Sequence, residues 1–280
     1  MDKAGVQTAF VAAGLSRLLK DIDYISRPSI RLFTTPVDES ALAIGTSKLG
    51  GFPDLPSGVP WPECNGLPQS FIGQIHLADI GQVDTLLPHT GMLWFFYDAR
   101  QQTFGENPTD KGCWHVFFME TLTGLQRTLP PAPLPAVSQF KACSIRFANE
   151  ITLSQYPKLD IPNCEWTDEE QKKYETLLAT FPSAEDHAAI HDRLLGNPDT
   201  LQDDMRLQCQ LVSHGIIDDR DPRAAELAGG AMDWLLLLQI DSDENAGMRW
   251  GDEGMLYYWM KRDDLQRQRF DTTWLVLQSE

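Results

Sequence analysis

The chain of 280 residues has little positive charge. Its 23 lysines and arginines stand against 40 aspartates and glutamates, a formal charge of -17, whereas nucleic acid and anionic lipid are bound through basic surface. No nucleic-acid or membrane partner is therefore expected, and the natural counterpart of such a chain is a basic protein or a small cationic ligand. Long apolar runs are also missing. No segment reaches the roughly 18 consecutive apolar residues of a membrane helix, and the opening MDKAGVQTAFVAAGLSRLLKDIDYI has neither the unbroken apolar stretch nor the small-residue cleavage site of a secretory signal. Cysteine is scarce: Cys64, Cys113, Cys143, Cys164 and Cys209 are odd in number and contain no CxxC pair, so they read as the reduced thiols of a cytoplasmic protein, not as a disulfide framework or zinc ribbon. A phosphate-binding P-loop, a GxGxxG turn and a GxSxG nucleophile elbow are absent as well.

What is present is an ordinary globular composition, 42% hydrophobic and 10% aromatic, sufficient for a core without staples. Val6, Phe10, Ala13 and Leu18 are spaced for an amphipathic N-terminal helix. SIRLFTTPVDES reads as a strand ending at Pro36, and SFIGQIHL, GMLWFFYDA, CWHVFFME, KACSIRFANEITL, DWLLLLQID, GMLYYWMK and TWLVLQSE read as further strands. Two stretches turn helical. TDEEQKKYETLLATF opens on Thr167 and Glu170 in a capping-box arrangement, and SAEDHAAIHDRLLG opens on Ser183 and Asp186 in the same way and closes on Gly196. The four prolines of TLPPAPLPAVSQF mark an extended crossing.

One phrase occurs twice. SFIGQIHLADI, residues 70–80, is matched by DWLLLLQIDSD, residues 233–243: Gln74 and Gln239 differ by 165, the GML triplets at Gly91 and Gly254 by 163, and Trp114 and Trp274 by 160. Ordered matches at a nearly constant offset predict an α+β fold of one continuous body spanning 1–280, built from two related β-rich halves of mostly antiparallel strands. The halves fall at about 30–128 and 229–280, with helices at the N-terminus and a helical insertion at about 167–228.

The segments GGFPDLPSGVPWPECNGLPQSFIGQIHLADI, LLGNPDTLQDDM and LLLLQIDSDENAGMRWGDEGMLYYWMKRDDLQRQRFDTTWLVLQSE resemble the YwqG-like family of bacterial proteins of unknown function. The resemblance implies an α+β fold with internal duplication and no particular chemistry; an immunity-like binding role follows from it by association alone.

The strongest candidate site is the acidic, aromatic loop DSDENAGMRWGDEG. There Asp241, Asp243, Glu244, Asp252 and Glu253 supply negative charge against the single Arg249, and Trp250 supplies apolar contact for a cationic group. A divalent cation on these carboxylates is a second use, although Ala246 and Asp252 occupy the positions where an EF-hand needs Gly and Glu. No cofactor is implied. The function expected is binding; the alternative is a metal-assisted hydrolase or transferase in the groove between the halves, and a third is a structural subunit. His187 and His191, four apart, lack the glutamate of HExxH and read as a hydrated helix face. Trp61, in the Gly/Pro loop KLGGFPDLPSGVPWPECNGLP, stands either as an exposed platform or as part of a cover over the sheet.

Overall fold

Runs of aromatic and branched residues that bury both faces favour the interior of a sheet. A computed structural model, which describes residues 1–81 and 86–279, gathers them into one sheet of ten strands: β1 (Ser26–Pro36), β2 (Lys48–Leu49), β3 (Ser70–His76), β4 (Met92–Tyr97), β5 (Trp114–Met119), β6 (Cys143–Leu153), β7 (Arg193–Leu195), β8 (Trp234–Asp241), β9 (Met255–Lys261) and β10 (Trp274–Gln278). The spatial order is β10-β9-β8-β7-β1-β6-β2-β3-β4-β5, and every pairing is antiparallel. The α+β class is as expected.

Adding five to each of β1–β5 and reversing the direction reproduces this order. β2–β5 therefore correspond to β7–β10, and the central strands β1 and β6 correspond to each other. Each central strand pairs with the second strand of the opposite series: β1 with β7, and β6 with β2. The register shifts alike in both wings, between Phe71 and Gly73 in β3 and between Leu236 and Leu238 in β8, just before Gln74 and Gln239. Counterparts then meet in the core. The Phe95 and Tyr258 rings lie 5.2 Å apart and those of Trp114 and Trp274 5.0 Å apart, each pair edge to face.

Among the described residues three smaller cores accompany this one, the smallest around Leu211, Ile216 and Ala224. Val6 and Phe10 of the helix Lys3–Ala12 pack with Trp166 and Tyr174 of the later helical segment, whose helix Asp168–Leu178 starts at the Thr167–Glu170 capping box. The Gly/Pro loop covers the outer face of β3 and β4, with Leu55 buried against Trp94 and Trp61 half-buried against Phe96. Trp61 is thus part of the cover.

Four expectations change. The second half is not confined to about 229–280: its series of strands begins with β6 at Cys143, because the long connections after β6 and β7 separate it in sequence but not in the sheet. The stretch 167–228 is not purely helical: the helix that begins after Ser183 ends at His187, and Arg193–Leu195 is a strand in the middle of the sheet, because pairing to β1 and β8 on both sides outweighs local helix preference. His191 lies beyond that helix and is buried, not hydrated. Among the cysteines, Cys64 and Cys113 form a disulfide, which the reduced-thiol reading missed because nothing local links residues 49 apart; a hairpin (Glu63–Cys64 with Leu67–Pro68) carries Cys64 to the turn before β5. The cytoplasmic placement loses the support it drew from reduced thiols. Cys143, Cys164 and Cys209 are free, and burial pushes the Cys143 thiol up to about 11. Closing a loop of this length predicts that Cys64→Ser with Cys113→Ser, or reduction, costs roughly 2–4 kcal/mol, read as a lower urea midpoint. Among the described residues no helix is long and apolar enough to cross a membrane.

Candidate functional site

The correspondence of the two wings extends into the loop that follows their second strand. KLGGFPDL (48–55) and RLLGNPDT (193–200) both leave the sheet through two consecutive left-handed residues. These are Gly50 and Gly51 at φ 61 and 69 in one wing, and Leu195 and Gly196 at φ 58 and 85 in the other. A side chain at Gly196 would collide with Ser29, its Cβ falling 2.6 Å from the Ser29 Cβ, so glycine is required there on both counts. The turn delivers an aspartate onto the glutamine of the neighbouring strand.

In the first wing the Asp54 amide donates to Gln74 Oε1 at 2.8 Å, Gln74 Nε2 returns a bond to Asp54 Oδ2 at 2.8 Å, and Trp94 Nε1 donates to the Asp54 carbonyl at 3.1 Å. In the second, the Asp199 amide donates to Gln239 Oε1 at 2.9 Å, Gln239 Nε2 to Asp199 Oδ2 at 3.0 Å, and the Tyr257 hydroxyl to the Asp199 carbonyl at 2.6 Å. Opposite each glutamine in register stands a base, Lys48 or Arg193. Lys48 Nζ lies 2.8 Å from Glu39 and 3.6 Å from Asp54, and Arg193 lies 3.1 Å from Glu150 and 2.5 Å from Asp199.

Each aspartate is thus held in a collar of glutamine and base, and the two collars differ in what closes them. A short strand, Leu125–Arg127, pairs with Asp54–Pro56 and inserts Arg127, whose Nε lies 2.9 Å from Asp54 Oδ1 and 3.0 Å from Glu39 Oε1. Its terminal nitrogens donate to the carbonyls of Glu39 and Leu42. Asp54 is fully buried by this arrangement. Asp199 instead lines a cleft of about 370 Å³ with Glu150, Glu175, Asp186, His191 and Arg193. All its side-chain contacts fall on Oδ2, from Arg193, His191 and Gln239. Oδ1 takes no hydrogen bond among the described residues, and 34% of the side chain is exposed. Burial works to raise the Asp199 pKa, but the Arg193 charge and the bonds from His191 and Gln239 hold the carboxyl well below the usual range. The acid is ionised.

His191 does not act as a free base in this cleft. Its Nδ1 lies 2.7 Å from Asp199 Oδ2 and its Nε2 2.9 Å from the Asp186 carbonyl, so both nitrogens are engaged within the protein. Arg31, buried beneath, lies 3.5 Å from Glu150 and 4.0 Å from Asp186. Counting Arg31 and Arg193 against Glu150, Glu175, Asp186 and Asp199, with His191 counted as neutral, leaves the cleft with a formal charge of -2. No group of three or more His, Cys, Asp or Glu among the described residues is placed to hold a metal ion.

The acidic loop 241–254 divides. Glu244, Asp252 and Glu253 are exposed, with Arg249 2.8 Å from Asp252. Asp243 is buried, accepting from the Thr34 hydroxyl at 3.0 Å and the Asn245 amide at 2.8 Å. Asp241 points inward to the His191 amide at 2.9 Å. Trp250 is fully buried against Tyr97 and Phe140 and donates to the Asp241 carbonyl. This corrects the expectation that Trp250 offers a partner apolar contact: a two-glycine turn folds it into the core, where its large apolar area is worth more than at the surface. Beneath the loop, Asp192 is completely buried, with one oxygen accepting from the Asp241 amide and the other without a partner among the described residues.

A family model described as a domain of unknown function, DUF1963, matches residues 47–279. The chain belongs to the DUF1963 family. No curated protein matches it. The match begins one residue before Lys48 and takes in both collars, so Asp54 and Asp199 both lie inside the family's domain. Sequence reasoning passed over them because the offset between the collars, 199 − 54 = 145, differs from the 165 between the glutamines. Twenty residues separate Asp54 from Gln74 and forty separate Asp199 from Gln239. The added length contains the helices Arg206–Val212 and Pro222–Leu227. The repeated signal was the short string of a base, leucine, glycine, proline and aspartate.

Proposed function

We propose that this DUF1963 protein is a binding protein for a cationic group, taken by Asp199 in the cleft of the second wing. One observation carries the reading: the same aspartate–glutamine collar holds a guanidinium in the first wing, Arg127 on Asp54 Oδ1, while in the second wing the matching oxygen faces no cation among the described residues. A guanidinium or ammonium reaching Asp199 Oδ1 with Glu150 or Asp186 alongside would form the charge-assisted pairs that Arg127 forms with Asp54 and Glu39. The negative charge of the cleft favours such a ligand, as the charge of the whole chain does.

The cation belongs either to a small molecule or to an arginine side chain presented by a basic protein, the latter being the immunity-like role that the YwqG-like resemblance suggests. The exposed acids Glu244, Asp252 and Glu253 would then add long-range attraction, not contact. The hydrolase alternative draws no support from His191, whose nitrogens are both engaged.

The test is calorimetric titration with agmatine, a small guanidinium amine, against wild type and Asp199→Asn. The expected result is saturable binding that weakens by about tenfold or more in the variant, the loss of one charge-assisted pair. Absence of saturable binding to wild type, or equal binding to both proteins, refutes it.

A further inference from the structure

The turn residues Leu195, Gly196, Asn197 and Pro198, between Arg193 and Asp199, line a separate cavity of about 270 Å³, near the lower end of small-molecule sites, roughly 300 Å³. β8 and β9 contribute Trp234, Leu235 and Trp259, and Met232 and Leu86 form an apolar rim. Three arginines converge here: Arg27, Arg206 and Arg262.

Among the described residues, only one of the three is neutralised. Arg206 lies 2.6 Å from Asp160 and 2.7 Å from Asp204. Arg27 donates to the backbone carbonyls of Asp23 and Ser26 and meets no carboxylate, and Arg262 has neither a hydrogen bond nor an ion pair among the described residues. Burial and the like charges of Arg262 and Arg206 outweigh the pull of Asp160 and lower the Arg27 pKa, a repulsion that an anion would relieve. In a chain of charge -17, two guanidiniums on one cavity without a carboxylate partner among the described residues are out of keeping with the surface around them.

The second observation concerns a neutral donor. Of the eight tryptophans, seven give their indole N–H to an acceptor: Trp61, Trp94, Trp114, Trp166, Trp234, Trp250 and Trp274. The eighth, Trp259, is 2% exposed, lines this cavity, and has no acceptor for Nε1 among the described residues. A buried N–H without an acceptor costs on the order of 1–3 kcal/mol, which an oxygen brought by a ligand recovers.

We infer that this cavity binds a small organic monocarboxylate. Its head pairs with Arg27 and Arg262 and accepts from Trp259, and its apolar body lies along Leu235, Met232 and Leu86. The acids Asp160 and Asp204 in the same wall disfavour a dianion such as a phosphate monoester. The inference is independent of the cation site at Asp199.

The experiment titrates the full chain with phenylacetate, hexanoate, phenylacetamide and inorganic phosphate. Readouts are the indole N–H resonances, with Trp259 assigned through Trp259→Phe, and thermal unfolding. At least one carboxylate is expected to bind saturably, shift the Trp259 N–H and raise the melting temperature. Arg262→Gln, a change at an exposed position, is expected to weaken that binding by about tenfold. The proposal is overturned if neither carboxylate moves the Trp259 resonance, if phenylacetamide or phosphate binds as well as the carboxylates, or if the Arg27→Gln/Arg262→Gln protein keeps wild-type affinity.

Discussion

Asp54→Ala is expected to lower the stability of this protein by about 3–5 kcal/mol, the penalty for removing one member of a buried ion cluster. Lys48 is fully buried, and burial already draws its pKa down. With Asp54 gone, Lys48 and Arg127 share Glu39 alone, and Gln74 loses the carboxylate that its amide grips. Asp199→Ala, at the corresponding position, is expected to cost only about 1–2 kcal/mol. Its side chain is partly open to water, and Arg193 keeps Glu150. Paired urea titrations measure both values. Equal losses at the two positions would mean that the second collar is structural like the first, and would remove the basis for a ligand at Asp199.

The largest pH effect is expected from Asp192. Burial, aided by the neighbouring charges of Asp241 and Asp243 and opposed by the bond from the Asp241 amide and by Arg31, pushes its carboxyl up to about 8. In the unfolded chain the same group titrates near its ordinary value of roughly 3.9. Below that pH both states are protonated and Asp192 has no effect. Between about pH 4 and pH 8 the folded state holds a proton that the unfolded state has released, so this contribution to stability falls as pH rises, by about 1.4 kcal/mol per pH unit, and levels off above the folded value. Asp192→Asn, which imitates the neutral acid, should therefore gain on wild type steadily from pH 4.5 to pH 8. A constant difference between the two across that range would show that Asp192 is charged in the folded protein.

Much of the sheet was legible because its strands are written in aromatic and branched residues bounded by turns, and both Thr167 with Glu170 and the spacing of Val6 and Phe10 mark their helices directly. β7 was not legible. Its three residues follow an alanine-rich stretch that reads as helix, and only the strands on either side make Arg193–Leu195 extended. The disulfide joins distant residues with no local mark. The acidic loop drew attention by composition, yet composition does not reveal that Asp241 and Asp243 turn inward or that Trp250 is buried. The collars were hidden for a different reason: their members are unremarkable singly, and only the sheet register sets Lys48 opposite Gln74 and Arg193 opposite Gln239.

The crossed pairing at the centre of the sheet, β1 with β7 and β6 with β2, has an evolutionary corollary. A polypeptide carrying only one set of five strands could complete this sheet only as a two-fold dimer that trades its leading strand with its mate, and both copies would then present identical pockets. Joining two sets in one gene fixes the stoichiometry and frees the copies from identity. One collar can then be sealed by an internal arginine while the other stays open, a division of labour that no symmetric homodimer can encode.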